Sequence, residues 1–145
     1  GQPVPAWPLP YFVNIERARR DEVTSYHYAP PSEAGEADPA LVATATAALK
    51  GSRQQVVTGA SWTTDAPFRE TAEAIEAARS KGVLAVEMEA AALYAFAKAR
   101  RANVLCLAHV ANTMGQTPQD FEKGEADRTA GGMQIMEAIR QTSEL

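Results

Sequence analysis

The stretch Val83-Leu84-Ala85-Val86-Glu87-Met88-Glu89-Ala90-Ala91 decides the fold. Val83 to Val86 is an apolar run without polar alternation, the pattern of a strand covered on both faces. From Met88 to Arg101 the chain is alanine-rich and strongly helix-forming, with Arg100 and Arg101 in the last turn, where they complement the helix dipole, and Asn103 closing it. Glu87 falls at the junction. A buried strand that hands over directly to a helix is the unit from which parallel α/β sheets are assembled.

The same alternation extends in both directions. Gly82 closes a predicted helix running from about Pro67 to Ser80, with Phe68, Ala72, Ile75 and Ala78 at helical spacing. Before it, Gln55 to Ala60 is a short apolar strand entering the polar loop Ser61-Trp62-Thr63-Thr64-Asp65. Asp38-Pro39 is an N-cap followed by proline at the first helical position, opening a helix from Ala40 to Lys50 that Gly51 ends. Tyr11 to Ile15 reads as a strand leading into a charged stretch and then the polar aromatic run Thr24-Ser25-Tyr26-His27-Tyr28, stopped by Pro30-Pro31. On the carboxyl side, Val104 to Val110 is another fully buried strand ending in Asn112-Thr113, and a last helix occupies the carboxyl end, ragged at Gly131-Gly132. The expected fold is therefore α/β: a mostly parallel or mixed sheet flanked by helices, with right-handed crossovers. Residues 11–145 read as one domain. Residues 1–10 hold four of the nine prolines and suit an extended arm or a fusion join.

Composition narrows the function classes. The 145 residues are 46% apolar, enough for one core, and no apolar run approaches the roughly 18 residues that cross a bilayer, so no membrane partner is expected. The first ten residues lack the basic and apolar regions of a signal peptide. A net charge of −4 argues against nucleic-acid binding, which needs a basic face. The one basic cluster, Arg17, Arg19 and Arg20, stands beside Asp21 and Glu22 and reads as solvated surface. A single cysteine, Cys106, permits neither an internal disulfide nor a thiolate metal site and fits a reducing, cytoplasmic setting; no metal motif is present, and no metal or cofactor is expected.

In a parallel α/β sheet, ligands bind beyond the carboxyl ends of the strands. The loops starting at Ser61, Glu87 and Ala111 are the candidates and should share one edge. Glu87 and Glu89 directly follow a wholly apolar strand, where a carboxylate needs partners. One reading is helix capping, with the carboxylates on free backbone N–H groups of the first turn. The other is recognition of sugar hydroxyls, with Met88 packed on the apolar face of the ring. Trp62 fits core packing as well as a loop role, and His27 and His109 fit structural positions. A serine hydrolase built on Ser61 fails, because Thr63 stands where the second glycine of a nucleophile elbow belongs.

Val86-Glu87-Met88-Glu89-Ala90-Ala91 resembles the ribose-binding signature of the nucleoside phosphorylase superfamily, which includes purine nucleoside phosphorylases, uridine phosphorylases and related nucleosidases. It follows, in that family's order, Gly59-Ala60-Ser61-Trp62-Thr63-Thr64-Asp65-Ala66-Pro67-Phe68-Arg69-Glu70, which is similar to the base-binding loop of the uridine phosphorylase-like branch. Thr24 to Tyr28 and Ala108 to Thr113 also look like family segments, so the resemblance runs from about Phe12 to the end. It implies that Glu89 binds the ribose 2′- and 3′-hydroxyls, that Met88 and the backbone near Glu87 complete the sugar pocket, and that Phe68 stacks on the base. Arg69 and Thr64 would contact the base, or else be an exposed helix-start residue and a loop cap. Asn112 and Thr113 would lie at the base as well. Purine-specific members carry an aspartic acid where Asn112 stands, and an amide cannot donate that proton, so the resemblance implies a pyrimidine nucleoside.

The implied activity is phosphorolysis, with phosphate as co-substrate and homo-oligomers as the working state. The family's glycine- and arginine-bearing phosphate segment precedes the part that resembles Phe12 onward, and neither a Walker-type loop nor a His-Glu-x-x-His motif takes its place here. Two expectations follow: the carboxyl-terminal half of an active phosphorylase whose amino-terminal half lies elsewhere, or a shortened homologue that binds nucleoside or associates without turnover. An uncovered sheet edge favours self-association in either case.

Overall fold

The computed structural model describes residues 7–111 and 125–143. Five strands form one mixed sheet: β1 (Tyr11–Asp21), β2 (Ala34–Glu36), β3 (Val56–Thr64), β4 (Val83–Glu87) and β5 (Leu107–Val110). Phe12, Val13, Asn14 and Ile15 are all buried, as expected of a central strand covered on both faces. β1 pairs in parallel with β3, which pairs in parallel with β4. The other edge of β1 is shared end to end by two antiparallel partners, β5 along Tyr11–Asn14 and β2 along Arg17–Arg19. The register against β3 slips between Ile15 and Arg17, so Glu16 is the extra residue of a bulge at the changeover.

Helix α1 (Pro39–Leu49) is capped by Asp38, whose carboxylate accepts the Ala40 N–H at 2.8 Å, as its sequence predicts. α2 (Ala72–Ser80) begins later than Pro67, because Pro67–Arg69 forms a separate 3-10 turn and Thr71 accepts the Ala74 N–H at 3.2 Å as the true cap. α3 (Ala90–Arg100) starts after Glu89 and stops at Arg101, which is in the left-handed region with φ 52°, ahead of Asn103. α4 (Glu125–Ser143) is the expected last helix and runs on through Gly131-Gly132. Gly131 faces Gln54 and Phe12, and a Cβ there would meet both at ordinary van der Waals distance, 3.5–3.6 Å.

The sheet separates two cores. Val13, Ile15 and Ala18 pack with Ala85, Ala90, Ala91 and Tyr94, which seats α3 on one face. Phe12, Leu49 and Ile135 form the second, joining β1 to α1 and α4. The strand expected over Val104–Val110 is shorter, because the Cys106 backbone is diverted: its N–H donates to Tyr94 Oη at 3.0 Å and its carbonyl accepts the Ile15 N–H at 3.0 Å. Thr24–His27 is a 3-10 turn at the end of β1. Trp7, inside the proline-rich arm, has its ring centroid 5.5 Å from that of Tyr11.

Candidate functional site

Parallel pairing places Asp21, Thr64 and Glu87 at the carboxyl ends of β1, β3 and β4, on one edge of the sheet. Ser61 and Thr63 are two positions apart on β3, so their side chains share a face, and Thr63 is the register partner of Glu87. Both hydroxyls donate to Glu87 Oε1, Ser61 at 2.8 Å. The second oxygen of Glu87 turns to the start of α3, where Oε2 accepts the N–H groups of Glu89 at 2.8 Å and Ala90 at 2.7 Å. Thr63 Oγ1 in turn accepts the Ala91 N–H at 3.0 Å. The Glu87 carboxylate thus takes the capping role, with four donors on its two oxygens. Of the two roles expected for this carboxylate, these bonds fill the capping one, with the β3 hydroxyls and the N–H groups of Glu89 and Ala90 as its partners.

Glu89 differs. It is exposed, its backbone is not helical, and its side chain makes no capping bond. Its Oε2 accepts only the Met88 N–H, at 3.3 Å, and Oε1 has no partner among the described residues. Met88 beside it is 48% exposed. The link between β4 and α3 therefore presents one uncommitted carboxylate and one half-exposed thioether, on a backbone pinned at both ends.

The loop after β3 divides in the same way. Thr64 is buried, and its Oγ1 accepts the Ala66 N–H at 3.1 Å, so it serves as the loop cap. Phe68 projects from the 3-10 turn with 86% of its surface exposed, and Arg69 beside it is also exposed. A phenyl ring so exposed does not serve the core. Trp62 does: it is buried, and its Nε1 donates to Asp21 Oδ2 at 3.0 Å. Asp65 Oδ2 accepts the Val23 N–H at 3.1 Å, tying this loop to the end of β1.

The sequence profile of the phosphorylase superfamily matches residues 1–140. The chain belongs to that superfamily. Among solved structures it is similar to AMP nucleosidase from Bacteroides thetaiotaomicron, with 20% identity and a TM-score of 0.66, over 91% of this chain and 56% of that one. It is also similar to uridine phosphorylase from Vibrio fischeri, crystallised with 6-hydroxy-1-naphthoic acid, with 20% identity and a TM-score of 0.63, over 91% of this chain and 52% of that one. At such identity the likeness carries the fold. The chain spans little more than half the length of either structure. Comparison with curated proteins finds no match.

Two expectations for this superfamily member change. β5 is antiparallel, with Val110 opposite Tyr11, so the loop entered at Ala111 leaves from the amino end of β1, away from Asp21. Asn112 and Thr113 themselves lie outside the described residues. The other change concerns the arginines. Arg17 is exposed, but Arg20 is buried, with Nε on Ser25 Oγ at 2.8 Å and its terminal nitrogens on Ser32 Oγ at 2.8 Å and the carbonyls of Pro30 and Ala29. Its guanidinium also lies 4.1 Å from the Tyr26 ring centroid. Arg20 therefore organises the loop after β1.

The positions that sequence reasoning missed are Ser61 and Thr63 as partners of Glu87. Their alternation beside an acidic strand end was the available signal. Cys106 is chemically quiet: burial pushes its thiol up to about 11, and Tyr94, whose hydroxyl donates to the Ile15 carbonyl, is raised by burial as well.

Proposed function

We propose that this chain is the nucleoside-binding part of a nucleoside phosphorylase that cleaves the N-glycosidic bond of a ribonucleoside with phosphate, giving free base and ribose 1-phosphate. The observation that carries the proposal is the division of labour between the two glutamates: Glu87 is saturated by four internal donors, whereas Glu89, two residues on, offers an exposed carboxylate. A carboxylate accepts hydrogen bonds only, which suits a pair of vicinal hydroxyls. Met88 lies against the sugar ring, Phe68 stacks on the base, and Arg69 meets the base carbonyls. Thr64 shapes this loop from beneath.

In the reaction, phosphate attacks the anomeric carbon and the electron pair of the glycosidic bond leaves with the base. Glu89 holds the sugar in place for that attack, and donors near the carbonyl oxygens of the base stabilise the leaving charge. The base preference rests on sequence alone: Asn112 stands where purine-specific members carry an aspartic acid, and an amide there favours a pyrimidine. The uridine phosphorylase fold neighbour supports that preference. Phosphate is the co-substrate, and the working state is a homo-oligomer in the cytoplasm.

A second reading replaces phosphate with water, and is favoured by the nucleosidase among the fold neighbours. Release of uracil from uridine, followed with and without inorganic phosphate, separates the two. Release only with phosphate supports phosphorolysis. Equal release without it supports hydrolysis, and binding of uridine with no release in either condition assigns the chain a binding role without turnover.

A further inference from the structure

Thr63 touches both sides of the link that carries Glu89. Its side chain is fully buried, its hydroxyl donates to Glu87 at the end of β4, and the same oxygen accepts the Ala91 N–H in the first turn of α3 at 3.0 Å. Ser61 donates to the same carboxylate oxygen at 2.8 Å, which joins β3 to β4 without reaching α3. Thr63 alone of this pair spans from the sheet to the helix. Between those anchors lie Met88 and Glu89, and the Glu89 backbone, at φ −129° and ψ −31°, is not helical and takes no capping bond from its own side chain, whose one contact is a long 3.3 Å bond from the Met88 N–H. The direction of the Glu89 carboxylate is therefore set from outside: by Glu87 on the N–H groups of Glu89 and Ala90, and by Thr63 on the next N–H along.

We infer that Thr63 is a positioning residue for ribose recognition: it touches no ligand, and by tying β3 to the amino end of α3 it aims Glu89 at the two sugar hydroxyls and so sets the preference for ribonucleosides over 2′-deoxyribonucleosides. This rests on the reading of Glu89 as the ribose acceptor. Two adjacent hydroxyls engage a carboxylate well only when both oxygens are placed to within a fraction of an ångström, as hydrogen-bond geometry demands. A 2′-deoxy sugar uses one hydroxyl fewer and tolerates a misplaced carboxylate better. Loss of the tether therefore weakens uridine more than 2′-deoxyuridine, a difference that a purely stabilising role does not produce.

The test compares the full wild-type chain with Thr63→Val, which keeps the shape and removes the hydroxyl, and with Thr63→Ser, which keeps the hydroxyl. Calorimetric titration with uridine and 2′-deoxyuridine is read beside amide hydrogen exchange at Ala90 and Ala91. Thr63→Val is expected to speed exchange at Ala91 and weaken uridine binding about tenfold, equivalent to about 1.4 kcal/mol. Deoxyuridine should weaken less, so that the preference falls toward unity, and Thr63→Ser should restore it. A wild-type preference in Thr63→Val overturns the inference. If that variant fails to fold, Thr63→Ala takes its place, which also removes the hydroxyl, and an unchanged preference there is equally decisive. A wild-type chain that takes up neither nucleoside overturns the ribose reading and the specificity role with it. Exchange at Ala91 reports on the tether independently: unchanged exchange in Thr63→Val overturns the tether whatever the nucleoside data show.

Discussion

Ser61 Oγ donates to Glu87 Oε1 at 2.8 Å, bridging β3 to β4 at the edge where the candidate site opens. With the hydroxyl of Thr63 and two α3 amides, that bond makes Glu87 part of the framework.

Glu87→Gln should therefore lower stability. An amide replaces one acceptor oxygen with a donor: turned toward the N–H groups of Glu89 and Ala90 it opposes two donors, and turned toward β3 it removes the acceptor to which the Ser61 and Thr63 hydroxyls both donate. One unsatisfied donor pair in a half-buried place costs about 1–3 kcal/mol. Urea unfolding checks this, and a midpoint equal to wild type contradicts the clamp.

Arg20→Lys should be almost as damaging as Arg20→Met. The guanidinium reaches Ser25, Ala29, Pro30 and Ser32 at once, and an ammonium on a flexible stem cannot reproduce that planar spread. Loss of these charge-assisted bonds is expected to cost about 2–3 kcal/mol for either substitution, measured by thermal or denaturant unfolding. A lysine variant with wild-type stability would show that charge alone suffices.

Gly59→Ala should destabilise through a defined collision. A Cβ at Gly59 would sit 2.4 Å from Leu84 Cδ1 and 3.1 Å from its Cγ. Overpacking of this kind costs about 1–3 kcal/mol. Leu84→Ala in the same chain removes the obstacle, so the double variant should be more stable than the sum of the single losses predicts. Strict additivity would place the cause elsewhere.

Stability should fall on the alkaline side. Burial raises the Cys106 thiol from an ordinary 9.0 to about 11, so the folded chain keeps a proton that the unfolded chain releases in that window. The unfolded state then binds fewer protons, and stability decreases as pH rises from about 9 toward 11; Tyr94, also raised by burial, acts in the same direction. Cys106→Ala should flatten part of that slope in unfolding curves taken across the window. An unchanged slope would mean that the thiol titrates alike in both states.

Much of the fold was legible because local and tertiary signals coincide. Asp38-Pro39 starts α1 where it should, and the unbroken apolar run before Glu87 is strand β4, which lies at the edge of the sheet and is half-buried, with Ala85 alone fully buried, rather than covered on both faces. The misreadings have a common cause: the backbone found partners that no local pattern announces. Phe68 has helical spacing with Ala72 and Ile75, yet Thr71 supplies the cap that starts α2 after it. Val104 to Cys106 looks like strand, yet Tyr94 and Ile15 take the Cys106 hydrogen bonds. At the site, the pair Glu87 and Glu89 was visible, but which one caps and which one is exposed depends on Ser61 and Thr63, far away in sequence and adjacent in the sheet. Arg20 reads as surface charge because the loop that wraps it lies further along the chain.

Glu89 is the hinge of the account. Calorimetric titration of uridine into the wild-type chain and into Glu89→Ala tests it most directly, with thermal melting as a control for folding. Because the exposed carboxylate carries no framework bond beyond a 3.3 Å contact to Met88, its removal should leave the melting temperature close to wild type. Uridine affinity should fall by about 1–3 kcal/mol, the range for losing hydrogen bonds to a charged acceptor. Unchanged affinity in a folded Glu89→Ala chain would contradict ribose recognition at this strand end.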